Sequence, residues 1–147
     1  MLLRPANTSD IPQILANGKT FATSAYPGIP FDEETFFGCV MQMMNDGLLI
    51  VAEENGEHFG GVGAIKGPLF INTSVSIAME RFWWVKPEHR ASGIGRDLLK
   101  ALEAAAKEQG CARVLMIALH NDELPFVDGF YKKFGYAPME HFYAKVL

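Results

Sequence analysis

The sequence predicts an α/β domain: a mixed sheet with helices on both faces. Three observations predict it. Apolar residues alternate between strand-like and helix-like spacing along the chain, in the order β-α-α-β-β-β-α-β-α-β. Asn55-Gly56 joins two runs of β type, the strongest short hairpin signal, because both central residues need positive φ. Residues 80–119 read as strand, glycine-spaced loop, helix and strand, a βαβ unit whose strands should run parallel with a right-handed crossover.

Residues 2–4 form a short opening strand closed by Pro5. Thr8 can cap a helix that carries Asp10 and Pro12 in its first turn, where a carboxylate suits the helix dipole and a missing N–H costs nothing. Ile11, Ile14 and Leu15 give that helix an apolar face, and the pattern fades near Gly18. After a rigid turn at Tyr26-Pro27-Gly28-Ile29-Pro30, Asp32 caps a second helix. Glu33 and Glu34 occupy its first turn, Phe36, Phe37, Val40, Met41 and Met44 its apolar stripe, and Gly47 lies just past its end. Residues 48–53 and 58–65 are the hairpin strands, the second thinned by Gly60, Gly61 and Gly63 for a bulge or a close approach.

A loop is predicted over residues 67–76 and a strand over 77–85. Ile94, Leu98, Ala101, Leu102 and Ala105 line the next helix, which Gly110 ends. Residues 113–119 read as a compact buried strand. Pro125 opens a last helix with Phe126, Phe130 and Phe134 at spacings of four and Tyr131 beside them, stopped by Gly135. Residues 137–146 are expected to supply one or two closing strands.

One domain, residues 1–147, fits the length, and 49% hydrophobic residues suffice for a core. The net charge of −4 disfavours nucleic acid or an anionic membrane as partner. Cys39 and Cys111 are too few and too far apart for a disulfide framework or zinc site, and read as buried thiols, so no metal is expected. No apolar run approaches the ~20 residues that cross a bilayer. The first residues lack the layout of a signal peptide, so a cytoplasmic protein is expected.

The chemistry concentrates in Trp83-Trp84-Val85-Lys86-Pro87-Glu88-His89-Arg90-Ala91-Ser92-Gly93-Ile94-Gly95-Arg96. Two glycines let a ligand approach the main chain, and the amides that open the following helix have no partner within it. Arg90 and Arg96 bracket the loop, so an anion such as a pyrophosphate is the expected ligand. A tight turn before a helix is the plain structural alternative. A dinucleotide turn fits less well, because Leu98 stands where its third glycine belongs.

Arg90-Ala91-Ser92-Gly93-Ile94-Gly95 resembles the R/Q-x-x-G-x-G/A loop of the GNAT superfamily of N-acetyltransferases. Phe130-Tyr131-Lys132-Lys133-Phe134-Gly135-Tyr136 is similar to that family's late helix and the strand after it. The resemblance implies a GNAT-like, mostly antiparallel sheet with one splayed parallel strand pair, here the strands ending near Val85 and Leu119. It implies acetyl-CoA as cosubstrate, its arm held by backbone around Trp84 and Val85, with the Val85 N–H facing the thioester oxygen. Backbone from Ala91 through Ser92, Gly93, Ile94 and Gly95 to Arg96 would hold the pyrophosphate beside Arg90, and Asn121 would touch the CoA arm.

The reaction implied is direct attack by a primary amine, with Tyr131 as the acid that protonates the departing sulfur. Glu80 is the residue chosen as base, although a structural pair with Arg81 is an alternative, and His120, Asp122 or a water chain also remain open. The acceptor is a small-molecule or peptide amine whose identity the sequence does not name. Tyr26, Phe31 and Phe37 lie where relatives shape the acceptor site. Many relatives are dimers, so a homodimer is compatible with the resemblance. A non-catalytic acyl-CoA sensor that keeps the cleft is the second reading, and a small nucleotide-binding oxidoreductase the third.

Overall fold

The computed structural model describes residues 1–147. The chain divides into two compact units, Met1–Ile117 and Ala118–Leu147. The first holds a five-stranded sheet of β1 (Leu2–Pro5), β2 (Leu49–Glu54), β3 (Glu57–Leu69), β4 (Asn72–Val85) and β5 (Arg113–Leu115), ordered as in the sequence. All neighbours are antiparallel except β4 and β5, the two strands joined by a helical crossover.

Helices α1 (Ile11–Ala25) and α2 (Glu33–Asn45) cover one face of the sheet. Ile14, Val40 and Met43 pack there on Leu49, Val51 and Phe82. Helix α3 (Ile94–Glu108) covers the other face, where Ile94, Leu98, Leu102 and Ala106 meet Ile50, Ala52, Val62, Ala64 and Ala78. Trp83 and Trp84 point to opposite faces, Trp83 toward α3 and Trp84 toward α1 and α2.

Four expectations for this unit are corrected. The first helix does not fade at Gly18 but runs on to Ala25. Gly18 is a notch: a Cβ there would lie 2.2 Å from the Phe36 ring that fills the space. Its entry is set by a short 3-10 turn, Thr8–Asp10, capped by Asn7 and not by Thr8. Residues 67–76 are not a loop, since β3 and β4 stay paired out to Leu69↔Asn72 and turn at Phe70-Ile71. The strand at 113–119 shortens to three residues.

The second unit contains α4 (Leu124–Lys133). Its rings form a ladder, with Phe130 4.7 Å from Phe134 and 6.4 Å from Phe126, and Tyr131 5.6 Å from Tyr136. Residues 137–147 carry no strand, against the closing strands expected. Three helices end alike. After α2, α3 and α4, a glycine with positive φ (Gly47, Gly110, Gly135) donates its N–H back to Met44, Lys107 or Lys132. The residue after each glycine closes the outer bond, to Met43, Ala106 or Tyr131. That pair of bonds satisfies carbonyls which a helix end otherwise leaves open.

Candidate active site

The parallel ladder between β4 and β5 covers only Ile77↔Arg113, Ala78↔Val114 and Met79↔Leu115. Beyond Met79, β4 continues for six residues to Val85 paired with β3 alone. At the point of separation the Ile117 N–H, which a longer ladder would have given to β4 backbone, donates instead to Glu80 Oε2 at 2.8 Å. The two strands therefore part at Glu80.

Which polar groups face the opening follows from the register. The Lys86 N–H donates to the Phe59 carbonyl at 2.9 Å, so Lys86 faces β3. Alternate residues of a strand point their N–H and C=O the same way. Trp84 therefore also turns its amide to β3, opposite Gly61. Val85 turns its N–H to the open edge, and its carbonyl on that edge accepts from Arg90 Nε at 3.4 Å. Of the two backbone positions expected to hold an acyl-carrier arm, Val85 is presented to the opening, and Trp84 contributes its ring to the opposite layer.

After Val85 the chain makes a 3-10 turn, Pro87–Ser92, and enters α3 through Gly93. Gly93 has φ +91°, the left-handed region that a side chain disfavours. No side chain caps α3. Its first internal bond is Asp97 N–H to the Gly93 carbonyl, so the N–H groups of Ile94, Gly95 and Arg96 project from the helix start. Gly95 brings this start against the sheet, since a Cβ there would lie 3.1 Å from Trp83 and 3.6 Å from Val85. The Arg96 guanidinium folds back over Gly93 and pairs with Asp97 at 2.8 Å. Ser92 Oγ donates to the His89 carbonyl at 2.6 Å, and His89 packs edge-on to Phe59 at 4.5 Å, which fixes the turn. Ala91, within the turn, adds a small surface to it.

Glu80 is a carboxyl held out of water, with 4% of its surface exposed. Burial pushes its pKa up to about 7, against the opposing pull of the Ile117 N–H and the Arg81 charge. The pair with Arg81 that the sequence allows is not formed: Arg81 turns out to solvent. In the second unit, Tyr131 is buried on α4 beside Phe130 and Tyr136. Asn121 closes a local turn, its side-chain oxygen accepting from the Glu123 N–H at 3.0 Å. Of the alternative bases, His120 and Asp122 are both exposed. No three His, Cys, Asp or Glu side chains are grouped to hold a metal ion, and no helix is long and apolar enough to cross a membrane.

Sequence reading offered a bulge at the glycines of β3 and missed the one on β4. The β3–β4 register steps from Gly63↔Phe82 to Ala64↔Glu80, leaving Arg81 opposite no residue. Only the partner strand reveals it. Gly60, Gly61 and Gly63 of β3 were its nearest signal, and they serve close packing too: a Cβ on Gly63 would lie 2.5 Å from Met43 Sδ.

A mostly antiparallel sheet whose one parallel pair parts beside an uncapped, glycine-entered helix is an acetyltransferase architecture. The family model described as Acetyltransferase (GNAT) family matches residues 15–136, and the chain belongs to that family. Among solved structures it is similar to a predicted acetyltransferase from Clostridium acetobutylicum solved with acetyl-CoA, at 18% identity over 99% of this chain and 95% of that one, TM-score 0.75. It is similar also to ribosomal-protein-alanine N-acetyltransferase from Brucella melitensis (16% identity, all of both chains, TM-score 0.72). A third similar structure is an aminoglycoside 6'-N-acetyltransferase from Acinetobacter haemolyticus (15% identity, 100% and 99% covered, TM-score 0.69). No curated protein matches the sequence.

Proposed function

We propose that this chain transfers the acetyl group of acetyl-CoA to a primary amine. The observation that carries the reading is the loss of the β4–β5 ladder after Met79, directly ahead of the open amides of Ile94, Gly95 and Arg96. Those donors and the positive end of α3 suit a pyrophosphate, and the Val85 N–H suits a carbonyl oxygen on the edge of β4. The residues present thus fit the cosubstrate, and a similar structure was solved with acetyl-CoA.

Bound there, acetyl-CoA supplies an activated acyl carbon as its thioester. Glu80, with a pKa near neutrality, takes the proton from the attacking amine. The Val85 N–H steadies the negative charge that grows on the carbonyl oxygen as the C–N bond forms and the C–S bond breaks. Tyr131 gives its phenolic proton to the departing sulfur. Arg90 anchors the end of β4, Arg96 over the loop would meet the phosphates, and Asn121 would be the residue to contact the pantetheine arm.

The first test is thermal stabilisation by CoA, followed by thiol release from acetyl-CoA against a panel of amines; no shift and no release would end the reading. Gly95→Val should abolish the CoA-induced shift in Tm, because a branched side chain pushes the helix start away from Trp83 and Val85. Its unliganded far-UV circular dichroism should stay native. Tyr131→Phe should lower kcat by about a hundredfold, the scale of one lost proton transfer, with CoA binding retained. A chain that binds CoA and shows no turnover before or after this change would be a sensor.

A further inference from the structure

The bulge that parts Glu80 from Phe82 re-aims one side chain. Bulges increase local twist and redirect residues beside active sites. Arg81, the extra residue, is exposed between two buried neighbours. It lies on the α2 face: its charge draws down the Cys39 thiol, which burial otherwise raises, and Cys39 packs with Phe82 in the α2 layer. The same charge reaches Glu80, its neighbour in the chain at the point where the strands part.

Two other arginines of the chain are engaged within it. Arg4 is paired with Asp10 and Glu53, and Arg96 with Asp97. None of the chain's ion pairs includes Arg81. A guanidinium is a planar fork matched to a carboxylate by two parallel hydrogen bonds. Apolar surface lies on the same face. Phe82 meets Phe36 at 6.1 Å and Phe36 meets Phe31 at 5.4 Å, while Tyr26, Ile29 and Phe37 are exposed around the turn between α1 and α2.

We propose that Arg81 selects the acceptor: the amine acetylated here belongs to a molecule that also carries a carboxylate, as an amino acid with an apolar side chain does. The inference rests on the acetyltransfer reading above and adds the substrate class. Glu80 receives the proton of the amine while Arg81, one residue on, holds the acid group of the same molecule.

The test uses matched acceptors in the thiol-release assay: phenylalanine, its carboxamide, phenethylamine, and a polyamine. Phenylalanine should have a kcat/KM at least about tenfold above its two relatives that lack the carboxylate, as one charge-assisted pair provides. Arg81→Gln should erase that preference by raising KM for the acid with little change in kcat, and Arg81→Lys should restore part of it. CoA-induced stabilisation should stay as in the parent for both variants. Equal use of the amines that lack a carboxylate or of the polyamine, or an acid preference that survives Arg81→Gln, would overturn the assignment while leaving acetyltransfer intact. Failure of every amine to release thiol would overturn both, and loss of the CoA shift in the parent protein would mark the cosubstrate reading as the source.

Discussion

Glu80→Gln is expected to lower kcat by about a hundredfold or more while CoA binding persists, since the amide cannot take a proton. The parent should show an acidic limb in its rate profile with a midpoint near the Glu80 pKa of about 7, and the variant should lack that limb. Stability carries a second signature of the same group. Its folded pKa lies above the ordinary glutamate value of 4.5, so the folded chain binds the proton more tightly than the unfolded one. The stability this group contributes is complete below pH 4.5 and is lost as the pH rises to about 7. That loss is roughly 3 kcal/mol. Denaturant midpoints between pH 5 and 7 should therefore fall for the parent and stay flatter for Glu80→Gln. A variant within twofold of parent kcat would remove Glu80 from the chemistry, and an unchanged pH slope would remove it as the titrating group.

Asp10→Ala is expected to cost about 3–5 kcal/mol, the scale of stranding buried charge partners. Asp10 is 3% exposed and gathers four donors. Arg4 binds both its oxygens at 2.7 and 2.9 Å, the Asn7 N–H reaches Oδ2 at 2.8 Å, and His58 Nε2 meets Oδ1 at 2.9 Å. His58 is itself 1% exposed with Nδ1 unpartnered, so it depends on this one contact. The Arg4 hydrogen bonds hold the Asp10 carboxyl well below the usual aspartate range, and the other donors add to them. Such a group stabilises the fold above the ordinary aspartate pKa and loses its contribution as pH falls through the lowered one. Urea unfolding at pH 7 and pH 3 checks both statements: the variant should unfold at lower urea at pH 7, and the gap should narrow in acid. An equal midpoint at pH 7 would show that the cluster adds no net stability.

The helix ends were legible because their signals are local. Asp32 caps α2 through the Thr35 N–H, and Gly47, Gly110 and Gly135 stop three helices at the residues where the sequence stops them. Asn55 (φ 53°) and Gly56 (φ 80°) form the hairpin turn for the same reason. The glycine-spaced entry to α3 was visible too, with its open amides. The loop expected over residues 67–76 failed because the stretch was read without the partner strand that pairs Gly67↔Ile77 and Pro68↔Ser76. Gly18 misled in the same manner, its purpose lying in Phe36 of another helix. The Arg81 bulge is a mismatch between two strands and exists in neither one alone. Glu80 could be chosen from its place before the loop, whereas its burial and its bond to Ile117 needed the folded chain.

The Glu80–Ile117 bond has a consequence for the width of the opening. A backbone carbonyl in that place would let the two strands zip together, whereas a side-chain oxygen keeps them a fixed stride apart, like a strut in a hinge. An ionised oxygen accepts more strongly than a neutral one. The contact across the opening is therefore stronger while Glu80 is ready to receive a proton than once it has one.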